Sequence, residues 1–143
     1  MEFPEQAYHA LCCYTLAHGD ADFIHQHVVD AYAAQTADEH TKSLTLAFAL
    51  IGLCLHVEFG FSGRQVQRVH MDLARRKRAW PRIPQPVDRG ATTASHVVLL
   101  PEGPQRDLAI HEWSAVVWDA FRESHALVRQ LLRAGDLTPR SAN

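Results

Sequence analysis

The run LTLAFALIGLCLHV at residues 44–57 contains no charged side chain, and it constrains the fold more than any other part of this chain. It is about 14 residues long where a membrane-spanning helix needs roughly 20, so it predicts a buried core helix over about 41–59, closed by Gly60. A helix that is apolar around its whole circumference has no face to present to water. The rest of the chain must therefore supply neighbours on every side of it.

Apolar side chains recur at helical spacing through most of the remaining sequence. Ala7, Tyr8, Leu11 and Cys12 mark a helix over about 5–17, and His18, Gly19 and Asp20 form a stop followed by a new cap. The next helix runs over about 21–35 with Asp20 as its N-cap. Ser62 caps another that reaches about Trp80, with Val66, Val69, His70 and Leu73 inward, before PRIPQP ends it and residues 81–92 form a loop. A short helix follows over 93–100. Leu108, Trp113, Val117, Phe121, Val128 and Leu131 then give one long helix over about 104–134, opened by Pro104 and ended by Gly135. The reading is an all-α fold, four-helix-bundle-like with an additional short helix, in a single domain over residues 1–143 whose segment 136–143 is a flexible tail.

Charge and cysteine usage exclude several function classes. The formal charge is −2, which gives no global attraction to nucleic acid or to an anionic membrane. The N-terminal MEFPEQ lacks the basic start and apolar stretch of a secretory signal. Three cysteines are an odd count and Cys12 and Cys13 are adjacent, so a disulfide framework is not expected and the expected setting is a reducing cytoplasm. Between Arg64 and Arg89 there are eight basic and two acidic residues, about +6, against roughly −8 for the remainder. A helix face ending in dipole-favourable cations accounts for that segment, and no glycine-rich phosphate loop, HExxH, CxxC or GxSxG is present.

Chemistry is concentrated in the histidines, ten in 143 residues. The segment DADFIHQHVVDAYAAQ at residues 20–35 sets His25, His27 and Asp30 into an otherwise apolar helix, where an imidazole needs a partner and a metal or acid/base site becomes the first hypothesis. If the first turn is centred on residue 19 and the second near 40, Cys13, His25 and His56 fall at one height, with Cys12, His27, Cys54 and Glu58 close by. On a helical wheel His25 flanks the inward side beside Tyr32, while His27 and Asp30 lie on the far flank, where they can bond each other at the rim. His56 and Glu58 are about 200° apart, and Glu58 at a helix C-terminus requires a cationic or metal partner or solvent. His18 and His40 sit in turns, and His70, His96 and His111 show no partner by spacing. His125 follows Trp118 and Phe121 on the apolar side of the last helix.

The segment HQHVVDAYAAQ, IGLCLHVEFG after it and WDAFRESHALVRQLL near the end resemble a family of small His-containing helical bacterial proteins that carries a domain-of-unknown-function label. The resemblance spans most of the chain and rests on His25, Val29, Asp30, Tyr32, Gln35, Glu58, Gly60 and His125. The chain differs in having no histidine within residues 47–50 and in following Gln35 with Thr36 instead of His-Pro. What the resemblance implies is a shared polar site, with no reaction attached. A looser likeness, of fold type alone, is to DinB-like four-helix bundles that bind a divalent metal through three histidines.

The expected site is a divalent transition metal, zinc, nickel or iron, held between the second, third and last helices. His25 and His125 are the leading ligands, His56 or Glu58 the third, and Cys13 an outlying alternative. The matching function is a metal-dependent hydrolase, transferase or oxygen-using enzyme on a small molecule, with homodimerisation possible. The alternative is a non-catalytic ligand-binding or dimerisation module with structural histidines. No nucleic-acid or membrane partner is expected. Duplex and single-stranded DNA should therefore bind no tighter than about 10⁻⁴ to 10⁻⁶ M at physiological salt. A submicromolar, salt-steep complex abolished by Arg75→Glu with Arg76→Glu would move the function to nucleic acids.

Overall fold

The apolar run forms helix α3 (Ser43–Phe59) in a computed structural model that describes residues 4–135. It is preceded by α1 (Pro4–His18) and α2 (His25–Gln35), and followed by α4 (Gly63–Ala74), α5 (Ala94–Val98), α6 (Pro104–Ala120) and α7 (His125–Ala134). The expected tail at 136–143 lies outside the described residues. Helix α3 packs against α2, α4, α6 and α7, while α1 lies on α2 and α5. Leu50, Ile51, Leu53, Cys54 and Leu55 are fully buried, and one apolar core continues from them to Leu11, Val28, Trp113, Phe121 and Leu132. No strand occurs among the described residues, and none of their helices is long and apolar enough to cross a membrane.

Two helix ends behave as their sequences require. Gly60 takes a left-handed φ of 72° after α3, and the N–H groups of Gly60 and Phe61 bond the carbonyls of His56 and Leu55. That cap fixes the last turn of α3, which carries His56. At α4 the Ser62 side chain accepts from the Gln65 N–H while the Gln65 side chain accepts from the Ser62 N–H, a reciprocal capping box.

Three boundaries differ from the periodicity, each for a local reason. Helix α2 begins at His25 and not near 21, because Phe23 has a φ of 56° and breaks the helical path. Asp20 still accepts from a backbone N–H, that of Ile24 at 3.1 Å. The turn is clamped by the Arg64 N–H on the Asp22 carbonyl and by Gly63, where an added Cβ would overlap the Phe23 carbonyl. Helix α4 ends at Ala74 instead of Trp80: residues 74–79 bring no large apolar side chain to its inner face, and Arg76 reaches away to the Gly135 carbonyl at 2.9 Å. The long final helix is interrupted by a 3-10 turn at Arg122–Ser124. There His125 Nε2 donates to the Trp118 carbonyl at 2.7 Å, capturing an acceptor that a continuous helix would use itself. The bend lets α7 pack on α3.

These shifts reset the pairing of α2 with α3. His27 stacks over His56 and the Asp30 carboxylate sits against Gly52, so the register is offset by about two to three residues from a turn centred near residue 40. An added Cβ at Gly52 would overlap the Asp30 carboxylate. Gly52→Ala should accordingly cost about 1–3 kcal/mol of stability in urea denaturation. The same change in an Asp30→Ala background should cost markedly less, because the two groups share the space. Additive costs in the double-mutant cycle would show that the contact does not govern how α2 seats on α3.

Candidate metal centre

Three helices deliver one imidazole each to a common point. His56, in the capped last turn of α3, bonds the Phe61 carbonyl through Nδ1 at 2.9 Å. A carbonyl only accepts, so Nδ1 carries the proton and the lone pair of the neutral ring is left on Nε2. His111 of α6 lies with Nδ1 3.0 Å from that Nε2 and donates to it. His27 of α2 stacks on His56 with ring centroids 3.5 Å apart, and its centroid is 5.7 Å from that of His111. One ligating atom from each of the three lies within 4.8 Å of the others, and among the described residues no other group of three His, Cys, Asp or Glu converges in this way.

The site combines a buried floor with an open mouth. His27 is only 2% exposed, while His111 is exposed. The three rings line a cleft of about 490 Å³ whose walls also carry His18, Asp20, Asp22 and Asp107. Burial pushes His27 down to about 2, with His56 and His111 adding to the shift. Burial also lowers His56, partly offset by its bond to the Phe61 carbonyl. Among the described residues the buried side-chain nitrogens and oxygens without a hydrogen-bond partner are His27 Nδ1 and Asp30 Oδ2. Three converging imidazoles with a buried, unpartnered ring nitrogen among them are compatible with binding a metal ion.

The four expected ligands divide between different places. His56 joins the triad. His25 is half-buried and bonds Thr15 Oγ1 through Nδ1 at 2.9 Å, about half a turn beyond the expected level of Cys13, which is exposed. Glu58 and His125 do meet, 3.9 Å apart, but in company that disfavours a cation. Arg129 grips the Glu58 carboxylate with two bonds of 2.9 and 2.7 Å, and Trp118 Nε1 donates to it at 2.9 Å. Chiefly through the Arg129 bonds, that carboxyl is held below its ordinary range. His125 stacks on Trp118 at 3.8 Å. The cationic partner required by Glu58 is thus Arg129, and this cluster ties α3 to α6 and α7.

Two groupings were hidden from the spacing analysis. His111 has no sequence neighbour that marks it, because its partners come from α2 and α3. His27 and Asp30 are buried instead of lying at the rim, and they do not bond each other. Asp30 accepts from Gln26 Nε2 at 3.1 Å, and Gln26 Nε2 also lies 3.3 Å from His70 Nδ1, whose other nitrogen donates to the Phe48 carbonyl at 2.8 Å. Burial raises the Asp30 carboxyl well above its ordinary range, against the opposing pull of its bond from Gln26.

Over residues 5–122 the sequence matches a family of unknown function, DUF5946, and the chain belongs to that family. The matched span contains all three triad histidines and Glu58, and ends before His125 and Arg129. No curated protein and no solved structure matches the chain.

The neutral burial of His27 has a consequence for acid stability. Its pKa falls to about 2 in the folded protein and returns to about 6.5 on unfolding, so the unfolded chain binds the additional proton across that interval. Stability from this group is fully present above about pH 6.5 and is lost as pH falls toward the folded value. The stability of wild type relative to His27→Leu should decline by up to about 1.4 kcal/mol per pH unit below that point, measured by urea denaturation between about pH 6 and 5. Asp30, whose raised pKa acts with the opposite sign, cancels in this comparison. A difference independent of pH would contradict neutral burial of the ring.

Proposed function

We propose that the protein binds one divalent transition metal ion through His27, His56 and His111 and acts as a metal-dependent enzyme on a small molecule. The observation that carries this reading is the convergence of three imidazole nitrogens within 4.8 Å at the base of an open cleft. Two nitrogens bound tetrahedrally at about 2.0–2.1 Å from zinc are roughly 3.3 Å apart, so the 3.0 Å contact of His111 with His56 needs only a small opening. The stacked rings of His27 and His56, now inclined at 18°, must also splay for both lone pairs to converge. Nitrogen ligands of this kind suit zinc, nickel or ferrous iron. A three-histidine centre would leave a coordination position free, where a bound ion would supply Lewis acidity and lower the pKa of a water. The Phe61 carbonyl orients His56, and burial keeps His27 neutral as a ligand must be.

The non-catalytic reading is favoured by one observation: His111 and His56 already satisfy each other by a direct hydrogen bond. Elemental analysis of protein purified without a histidine tag after metal-replete growth separates the two. We expect about one metal per chain in wild type, in His25→Ala and in His125→Ala. His27→Ala, His56→Ala and His111→Ala should lose it while keeping their helical circular dichroism. Metal retained in all three triad variants, or absent from wild type, would overturn the assignment.

A further inference from the structure

We infer that the cleft over the three histidines takes a small ligand with a metal-binding head and a positively charged tail, of the alkylammonium class. The inference rests on the metal reading and adds the chemistry of the ligand. Three carboxylates, Asp20, Asp22 and Asp107, share the wall of the cleft with the triad, and neither lysine nor arginine lines it among the described residues. A cleft for phosphate or carboxylate would present a cationic fork. At about 490 Å³ it is the size of a small-molecule site.

The wall carboxylates are incompletely occupied by the protein. Asp107 Oδ1 is fixed by the Tyr14 hydroxyl at 2.7 Å, and its other oxygen has only His18 Nε2, at 3.9 Å. Asp20 accepts from the Ile24 N–H, which leaves its charge in place. Asp22 is exposed and its carboxylate carries neither a hydrogen bond nor an ion pair among the described residues, although the Arg64 N–H holds its backbone carbonyl. The Arg64 guanidinium turns to the Ala21 carbonyl at 3.2 Å and over the Phe23 ring, and does not line the cleft. The carboxylates alone would describe a solvated rim. The independent pointer to a ligand is His27, 2% exposed, with an unpartnered Nδ1, lining the same cleft. With the ion at the floor, the head of a ligand meets the metal and its tail meets the carboxylates.

The test uses the full chain loaded with zinc and three hydroxamates of equal length ending in an ammonium, a methyl or a carboxylate group, with affinities measured by calorimetry. The ammonium compound should bind at least about threefold more tightly than the methyl compound, and the carboxylate compound more weakly than both. Salt should shrink the spread. Asp22→Asn and Asp107→Asn remove charge but keep an acceptor oxygen, and together they should bring the ammonium compound to the affinity of the methyl compound. Equal binding of all three tails, or an order unchanged in the variants, would overturn the inference while leaving the metal site standing. A second zinc per chain that the variants lose would assign the carboxylates to an ion and also overturn it. Failure of the wild-type chain to load zinc would instead remove the metal reading beneath it.

Discussion

Nine residues of α3 between Leu46 and Leu55 are buried, and burial on every side can be met only by helices on every side. Each Leu or Ile removed from water in this way contributes roughly 1.5–3 kcal/mol. Leaving a buried polar atom unpaired costs about 1–3 kcal/mol, so the sheath around α3 can carry a few such atoms. Helix α2 is where they fall. It is enclosed by α1, α3, α4 and α6, and its polar residues His27 and Asp30 are consequently drawn inward with the apolar ones. Gly52 provides the space in α3 that Asp30 occupies.

The last turn of α3 then sorts charge onto two sides. His56 and Glu58 point apart, as their positions on the helix demand, and they meet environments of opposite character. On the Glu58 side, Arg129 and Trp118 use both carboxylate oxygens, and a guanidinium already occupies the place a metal would take. The His56 side has neither lysine nor arginine on its lining among the described residues, and the titratable groups there are imidazoles and carboxylates. Both clusters draw on α3 and α6, and the second opens onto a cleft. On the proposed reading, the location of the ion follows from that asymmetry more than from a count of histidines.

Helical periodicity made the architecture legible: the core helix, its Gly60 cap, the Ser62 cap and the short helix near residue 94 all carry local signals. Helix interruptions were less visible because their causes are tertiary. The positive φ at Phe23 is clamped by residues of α4, and the break after Ala120 depends on His125 reaching back to the Trp118 carbonyl. The first of these also changes which histidines meet. A later start for α2 moves His27 to the level of His56, and Thr15, not Cys13, to the level of His25. His56 was identifiable because its own helix end is well marked. His111 was not, because no short connection fixes the height of α6 against α2 and α3.

On the proposed reading the triad admits either a proton or an ion between the same two nitrogens, and the cost of exchanging them follows from the tautomers. His56 keeps its Nδ1 proton on the Phe61 carbonyl in both states, so its Nε2 lone pair needs no preparation. His27 is held neutral by burial. His111 must change, moving its proton from Nδ1 to Nε2 on an exposed ring where water can mediate the transfer. On the proposed reading the ion therefore displaces no net proton from the three rings near neutrality, unlike a thiolate site, which must lose one. On the same reading the hydrogen bond of His111 holds the lone pair of His56 in place, while His111 must change tautomer and the stacked rings of His27 and His56 must splay before the three nitrogens can share an ion.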